Sequence, residues 1–208
     1  VKGDPMMFSA IITLIWGAIA LYYQSSPVGF FAVGALMSAL GFSIAVTPFC
    51  YAFGFDDDQA VARGTVAGFF ISVVYLLTRV FKLDLGLFGI FESGALWLAS
   101  FVSFIGLLFT STKLYWPRSK PSHYGIMNAV AVVGLLGYAS LGMLFGVREI
   151  TTMASVFMIF YFVTKIIEIP TESAISFGFK LLGAGVVVFF IWDTLNANPH
   201  IMQRYFMT

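Results

Sequence analysis

Along this chain, apolar stretches long enough to cross a bilayer alternate with short polar breaks. Runs over 6–23, 28–53, 64–81, 85–108, 124–145, 150–167 and 174–195 predict seven helical spans. The breaks have physical content: Gln24-Ser25-Ser26-Pro27, the acidic Asp56-Asp57-Asp58, Lys82-Leu83-Asp84, the Trp116-to-Pro121 stretch, Arg148-Glu149 and Ile169-Pro170-Thr171-Glu172. About 20 apolar residues cross a ~30 Å hydrocarbon layer as a helix. The runs are apolar on all sides rather than alternating, and lipid cannot satisfy an open backbone, so helices are expected in place of barrel strands. The joint at Arg148-Glu149 is so short that spans five and six are expected as a tight hairpin, with one long broken segment as the alternative. Pro48 is expected to kink the second span or end it early.

Two stretches of this pattern match each other, one over 64–96 and one over 150–185. Tyr75, Thr78 and Arg79 stand in the first as Tyr161, Thr164 and Lys165 stand in the second. Phe88-Gly89 with Gly94-Ala95 is answered by Phe177-Gly178 with Gly183-Ala184 after a three-residue insertion. With seven spans the two copies enter the membrane from opposite sides. The expected fold is therefore an all-α integral membrane protein with one extra helix (1–26), a first three-helix repeat (27–115), a linker (116–122), an inverted second repeat (123–197) and a tail (198–208), forming a single polytopic domain.

Composition excludes a water-soluble domain: 60% of residues are apolar, 10% are charged, and the mean hydropathy is +0.94. A net charge of +1 with no basic stripe gives no reason to expect a nucleic-acid partner. The single Cys50 rules out an internal disulfide or a multi-cysteine metal site. The chain opens on Val, which fits a processed or trimmed product. Its first span is followed directly by a second with no small-residue cleavage site, so it is expected to be structural. Lys2, Arg63, Lys113, Arg118, Lys120 and Lys165 fall on the amino-terminal side against Arg79, Lys82, Arg148 and Arg204 opposite, which favours an inside amino terminus. Which membrane holds the chain is not legible.

A charge placed within the hydrocarbon costs about 2.5–3.5 kcal/mol by insertion scales and needs a role. Two stand out: Glu92 in the fourth span and Lys180 in the seventh, at neighbouring positions of the two copies. Both are candidates for a pore or substrate path. Arg79 and Lys165 end the matched helices, where cations meet the carbonyl end of the helix dipole and the headgroups. With Trp116 and Trp192 they are expected to be interfacial anchors. Glu168 and Asp193, near span ends, are expected to be solvated, as is the acidic triplet. Gly64 with Gly68, and Gly134 with Gly137, are expected points of close helix approach, within the bundle or in an oligomer.

His123 and His200 lie at predicted membrane edges, and no phosphate-cradling glycine loop precedes a polar helix, so neither catalytic residues, a metal nor a cofactor is expected. The segment Ser26-Pro27-Val28-Gly29-Phe30-Phe31-Ala32-Val33-Gly34, with Gly94-Ala95-Leu96-Trp97, is similar to short pieces of small acetate and urea channel families. Their fuller signatures are absent, and no functional residue is carried over. Two functions fit: a small-solute or ion channel or transporter with its path along the repeat interface, or a non-transporting subunit that packs against partner helices, lipid or pigment. Membrane lipid is a partner in either case, as is a homo-oligomer or a larger membrane complex.

Overall fold

The computed structural model describes residues 5–47, 50–116 and 121–168, together with 178, 179, 182, 183, 185 and 186. The described chain is mostly helical and forms two compact units, Val1–Gly106 and Leu107–Thr208. Five of its helices, Met6–Tyr23, Asp58–Val80, Gly86–Thr110, Ser122–Phe145 and Arg148–Glu168, are long and apolar enough to cross a membrane, as a multi-pass integral membrane protein requires. The run expected as the seventh span lies almost wholly outside the described residues.

In the first unit, α1 (Pro5–Tyr23) turns at Gln24, whose φ is +49°, into α2 (Ser26–Ala39). Pro27 in the first turn of α2 has a φ preset for the helix and lacks an N–H that would have no partner there. Trp16 of α1 meets Phe31 of α2 edge to face at 5.2 Å.

The second span is not one helix, and this corrects the sequence reading. At Gly41 (φ +94°) the backbone takes the left-handed geometry that closes a helix, and the Gly41 N–H bonds to the Ser38 carbonyl at 3.0 Å. Strands β1 (Phe42–Thr47) and β2 (Cys50–Phe55) follow as an antiparallel hairpin with Phe42 opposite Phe55. The chain returns where it left, since the Asp56 N–H bonds to the Gly41 carbonyl at 3.1 Å.

Helix α3 (Asp58–Val80) starts on Asp57, whose carboxylate accepts the Ala60 N–H; Arg63 approaches the same carboxylate at 3.9 Å. The acidic triplet thus holds a helix cap, and its residues are exposed as expected. Helix α4 (Gly86–Thr110) is composite: a 3₁₀ stretch at Gly86–Phe91 and a π stretch at Ala95–Ala99 precede the regular Ser100–Thr110. Glycines let α2 and α3 close on α4. A Cβ on Gly29 would lie 2.5 Å from the Ile90 carbonyl oxygen, and one on Gly68 2.6 Å from that of Ala99. Gly64 and Gly68 are therefore spent inside this unit. Met37, Phe42, Ala99 and Val102 form its core.

In the second unit, α5 (Pro121–Phe145) and α6 (Arg148–Glu168) form the tight hairpin expected at Arg148-Glu149. Gly146 (φ +66°) makes the turn, and the Val147 N–H reaches back to the Gly142 carbonyl at 2.8 Å. Buried Ala131, Leu135 and Tyr138 on α5, and Ile150, Ala154, Phe157 and Tyr161 on α6, repeat at three- and four-residue steps along one face of each helix. The close approach comes at Gly142, where a Cβ would lie 2.8 Å from the Thr151 nitrogen. Gly134 and Gly137 do not supply it: the first has ordinary contact with Leu107 and the second open space.

Candidate functional site

Two polar clusters hold most of the described charges that have partners, and each is built on one copy of the Tyr-x-x-Thr-Arg/Lys segment. On α3, Thr78 donates back to the Tyr75 carbonyl at 2.8 Å, and on α6 Thr164 donates back to that of Phe160 at 2.8 Å. Each tyrosine hydroxyl crosses to another element: Tyr75 donates to the Phe88 carbonyl at 3.2 Å, Tyr161 to Asn128 Oδ1 at 2.9 Å. Each cation pairs with a glutamate, Arg79 with Glu92 and Lys165 with Glu168. The partners arrive differently. Glu92 comes from α4, thirteen residues on, whereas Glu168 is the i+3 neighbour of Lys165.

The first cluster sits where α3 turns into α4. The turn is a paired C-cap in which the Leu83 N–H bonds to the Thr78 carbonyl at 2.9 Å and the Lys82 N–H to that of Arg79 at 3.2 Å. This geometry puts Lys82 at φ +51°, a conformation that favours glycine. Asp84 Oδ1 accepts the Gly86 N–H at 2.9 Å. Between the helix ends lies an open cleft of about 370 Å³ lined by Thr78, Arg79, Lys82, Asp84, Gly89 and Glu92 among others. Glu92 is therefore the ion-pair partner of Arg79 beside this cleft, at the seventh position of its helix.

The second cluster ties three segments of the second unit together. Lys165 Nζ donates to the Ser111 carbonyl, to Glu168 Oε2 at 2.8 Å and to the Tyr124 hydroxyl at 3.4 Å, and lies 4.9 and 5.3 Å from the ring centres of Tyr124 and Tyr161. Glu168 also accepts from the Tyr124 hydroxyl at 2.8 Å and from the Lys113 backbone N–H at 2.7 Å. Asn128 donates to the carbonyls of Ser111 and Tyr124 at 3.1 and 2.7 Å. The Glu168 side chain is only 11% exposed, which overturns its expected place in solvent. The cause is the number of donors converging on it.

Trp116 donates its indole N–H to the Thr110 carbonyl at 2.7 Å and lies against His123, with ring centres 5.4 Å apart. Lys180 and Trp192 lie outside the described residues, as do Phe177 and Ala184 of the second matched segment. The sequence reading gave Tyr124, Asn128, Lys113, Lys82 and Asp84 no role in a site. Glu168, three residues after Lys165, and Asn128, four after Tyr124, are spaced to meet on a helix face, and that spacing was the available signal. Among the described residues, no group of three or more His, Cys, Asp or Glu side chains is arranged to hold a metal.

No protein-family model matches the chain, and the searches of curated proteins and of solved structures each return no match.

Proposed function

We propose that this chain is a multi-pass membrane subunit that conducts no solute itself and assembles, through its outward apolar helix faces, with other integral membrane proteins. What supports the reading is how the described interior is filled. The buried polar side chains are the hydroxyls of Ser72, Ser100, Ser103, Thr110, Ser111 and Thr151. All but Ser100 donate back to a carbonyl of their own chain three or four residues earlier. Those groups are already bonded, whereas a hydrated solute needs polar groups along its path that can replace its water. The seams beside them are closed by glycine and alanine contacts. Large side chains such as Leu14, Phe70, Val133 and Leu144 face outward, where lipid or partner helices cover them. The reading assigns no catalytic residue and no cofactor.

Purification from the native membrane in mild detergent, with mass spectrometry of whatever travels with the chain, tests it. Stoichiometric recovery with a defined set of membrane proteins is the expected result. Recovery alone or as a small homo-oligomer overturns the reading.

A small-solute channel or transporter is the second reading, and its own support is Glu92 at the edge of an open cleft. It predicts that Glu92→Gln changes liposome flux, or the pH dependence of that flux, while assembly stays intact. Absence of flux through the unmodified protein sinks it.

A further inference from the structure

The cleft between the ends of α3 and α4 does not depend on whether the chain conducts, and its chemistry points to a ligand. We infer that it holds the headgroup of a phosphoethanolamine lipid, with Lys82 on the phosphate and Asp84 on the ammonium. Its volume, about 370 Å³, lies at the small end of the range of ligand pockets, roughly 300–1,000 Å³. Its walls carry two cations, Arg79 and Lys82, and two carboxylates, Asp84 and Glu92. Arg79 and Glu92 pair with each other. That leaves Lys82, which has no side-chain partner among the described residues, and Asp84, which accepts only the Gly86 N–H there.

One cation and one carboxylate across a small cleft complement a zwitterion. An anionic headgroup could pair with Lys82 but would leave Asp84 without a cation. A quaternary ammonium has no N–H to donate and is held by aromatic faces, and no aromatic ring lines this cleft. A primary ammonium donates directly to carboxylate oxygen, and phosphate accepts from lysine. Lys82 occupies a positive-φ helix-closing position, as Gln24 does after α1 and Gly41 and Gly146 do elsewhere. Phe81, Leu83, Leu87 and Phe88 beside the cleft are 55–67% exposed, an apolar rim on which acyl chains can lie.

The test reconstitutes the full chain in vesicles of equal phosphatidylethanolamine and phosphatidylcholine, extracts it in mild detergent and measures the retained lipids by mass spectrometry. The expected enrichment of the ethanolamine lipid is about ten-fold, the order of one charge-assisted hydrogen bond. It should fall to near one in Asp84→Asn, whereas Lys82→Gly, which removes the partner of a phosphate that both lipids carry, should lower the total phospholipid retained. Glycine suits the Lys82 backbone and asparagine keeps the acceptor for Gly86, so neither variant loses the fold; circular dichroism checks this. No enrichment in the unmodified protein, enrichment unchanged in Asp84→Asn, total retention unchanged in Lys82→Gly, or preferential retention of phosphatidylglycerol when that lipid is added overturns the inference. Soluble phosphoethanolamine binding the delipidated protein as tightly as the lipid does would overturn the lipid assignment, because the acyl chains would then contribute nothing.

Discussion

Replacing Lys165 by Met should destabilise the second unit by about 2 kcal/mol, between the cost of breaking an exposed ion pair and that of breaking a buried one. The side chains of Lys165 and Glu168 are 21% and 11% exposed, so the remaining carboxylate cannot regain full hydration. Methionine keeps most of the length and apolar stem of lysine, so the loss is one of charge and donors rather than of packing. Three acceptors each lose a donor at once: the Ser111 carbonyl, which keeps Asn128, the Tyr124 hydroxyl and Glu168 Oε2. Glu168 is left with the Tyr124 hydroxyl and the Lys113 N–H, both neutral donors. Unfolding in mixed micelles measures the effect. Adding Glu168→Gln to Lys165→Met should recover part of it, because the double variant no longer holds an uncompensated charge. A loss below about 1 kcal/mol with no coupling would mean that the pair behaves like an exposed one.

How far this cluster was legible in the sequence depends on which of its contacts are local. The match between Tyr75-Thr78-Arg79 and Tyr161-Thr164-Lys165 found two positions where a tyrosine, a helix-bonded threonine and a paired cation recur. The partners of the cations were less visible. Glu168 is local to Lys165, but the Ser111 carbonyl and Tyr124 come from 54 and 41 residues away, and no sequence period brings them there. The sequence reading of Glu92 as a charge within a uniform helix gave it no partner. Its helix instead opens with a 3₁₀ stretch beside the turn, where Arg79 of the preceding helix reaches it.

The second span shows a different limit. Hydropathy counts apolar residues without regard to geometry, so 28–53 read as one long helix. Its later half alternates as Phe42-Ser-Ile-Ala-Val-Thr and Tyr51-Ala-Phe-Gly-Phe, rich in β-branched and aromatic residues, with Pro48 between. Gly41 at the helix-closing position decides the matter, since a left-handed residue there ends α2 fourteen residues in. Helix existence follows from hydropathy; helix length depends on single residues that hydropathy averages away.

Replacing Gly68 by Val should prevent α3 and α4 from packing and abolish folded protein in mild detergent, with an expected loss above the 1–3 kcal/mol typical of overpacking. A valine Cβ there would sit 2.6 Å from the Ala99 carbonyl oxygen and 2.8 Å from Ser103 Oγ. The first of these is backbone and cannot rotate away. Its neighbour Ser103 is fully buried and already bonded to that same carbonyl at 2.8 Å, so relief requires the helices to separate. Separation is especially costly in lipid, where close van der Waals approach rather than water exclusion holds helices together. Gly137→Val is the control. It introduces the same side chain into a helix interior, but a Cβ there meets nothing within 4 Å. Monodisperse elution and thermal unfolding should be near normal for Gly137→Val and lost for Gly68→Val. Equal behaviour of the two would show that α3 and α4 do not meet at Gly68, and with it the packing that sets Arg79 beside Glu92 would fall.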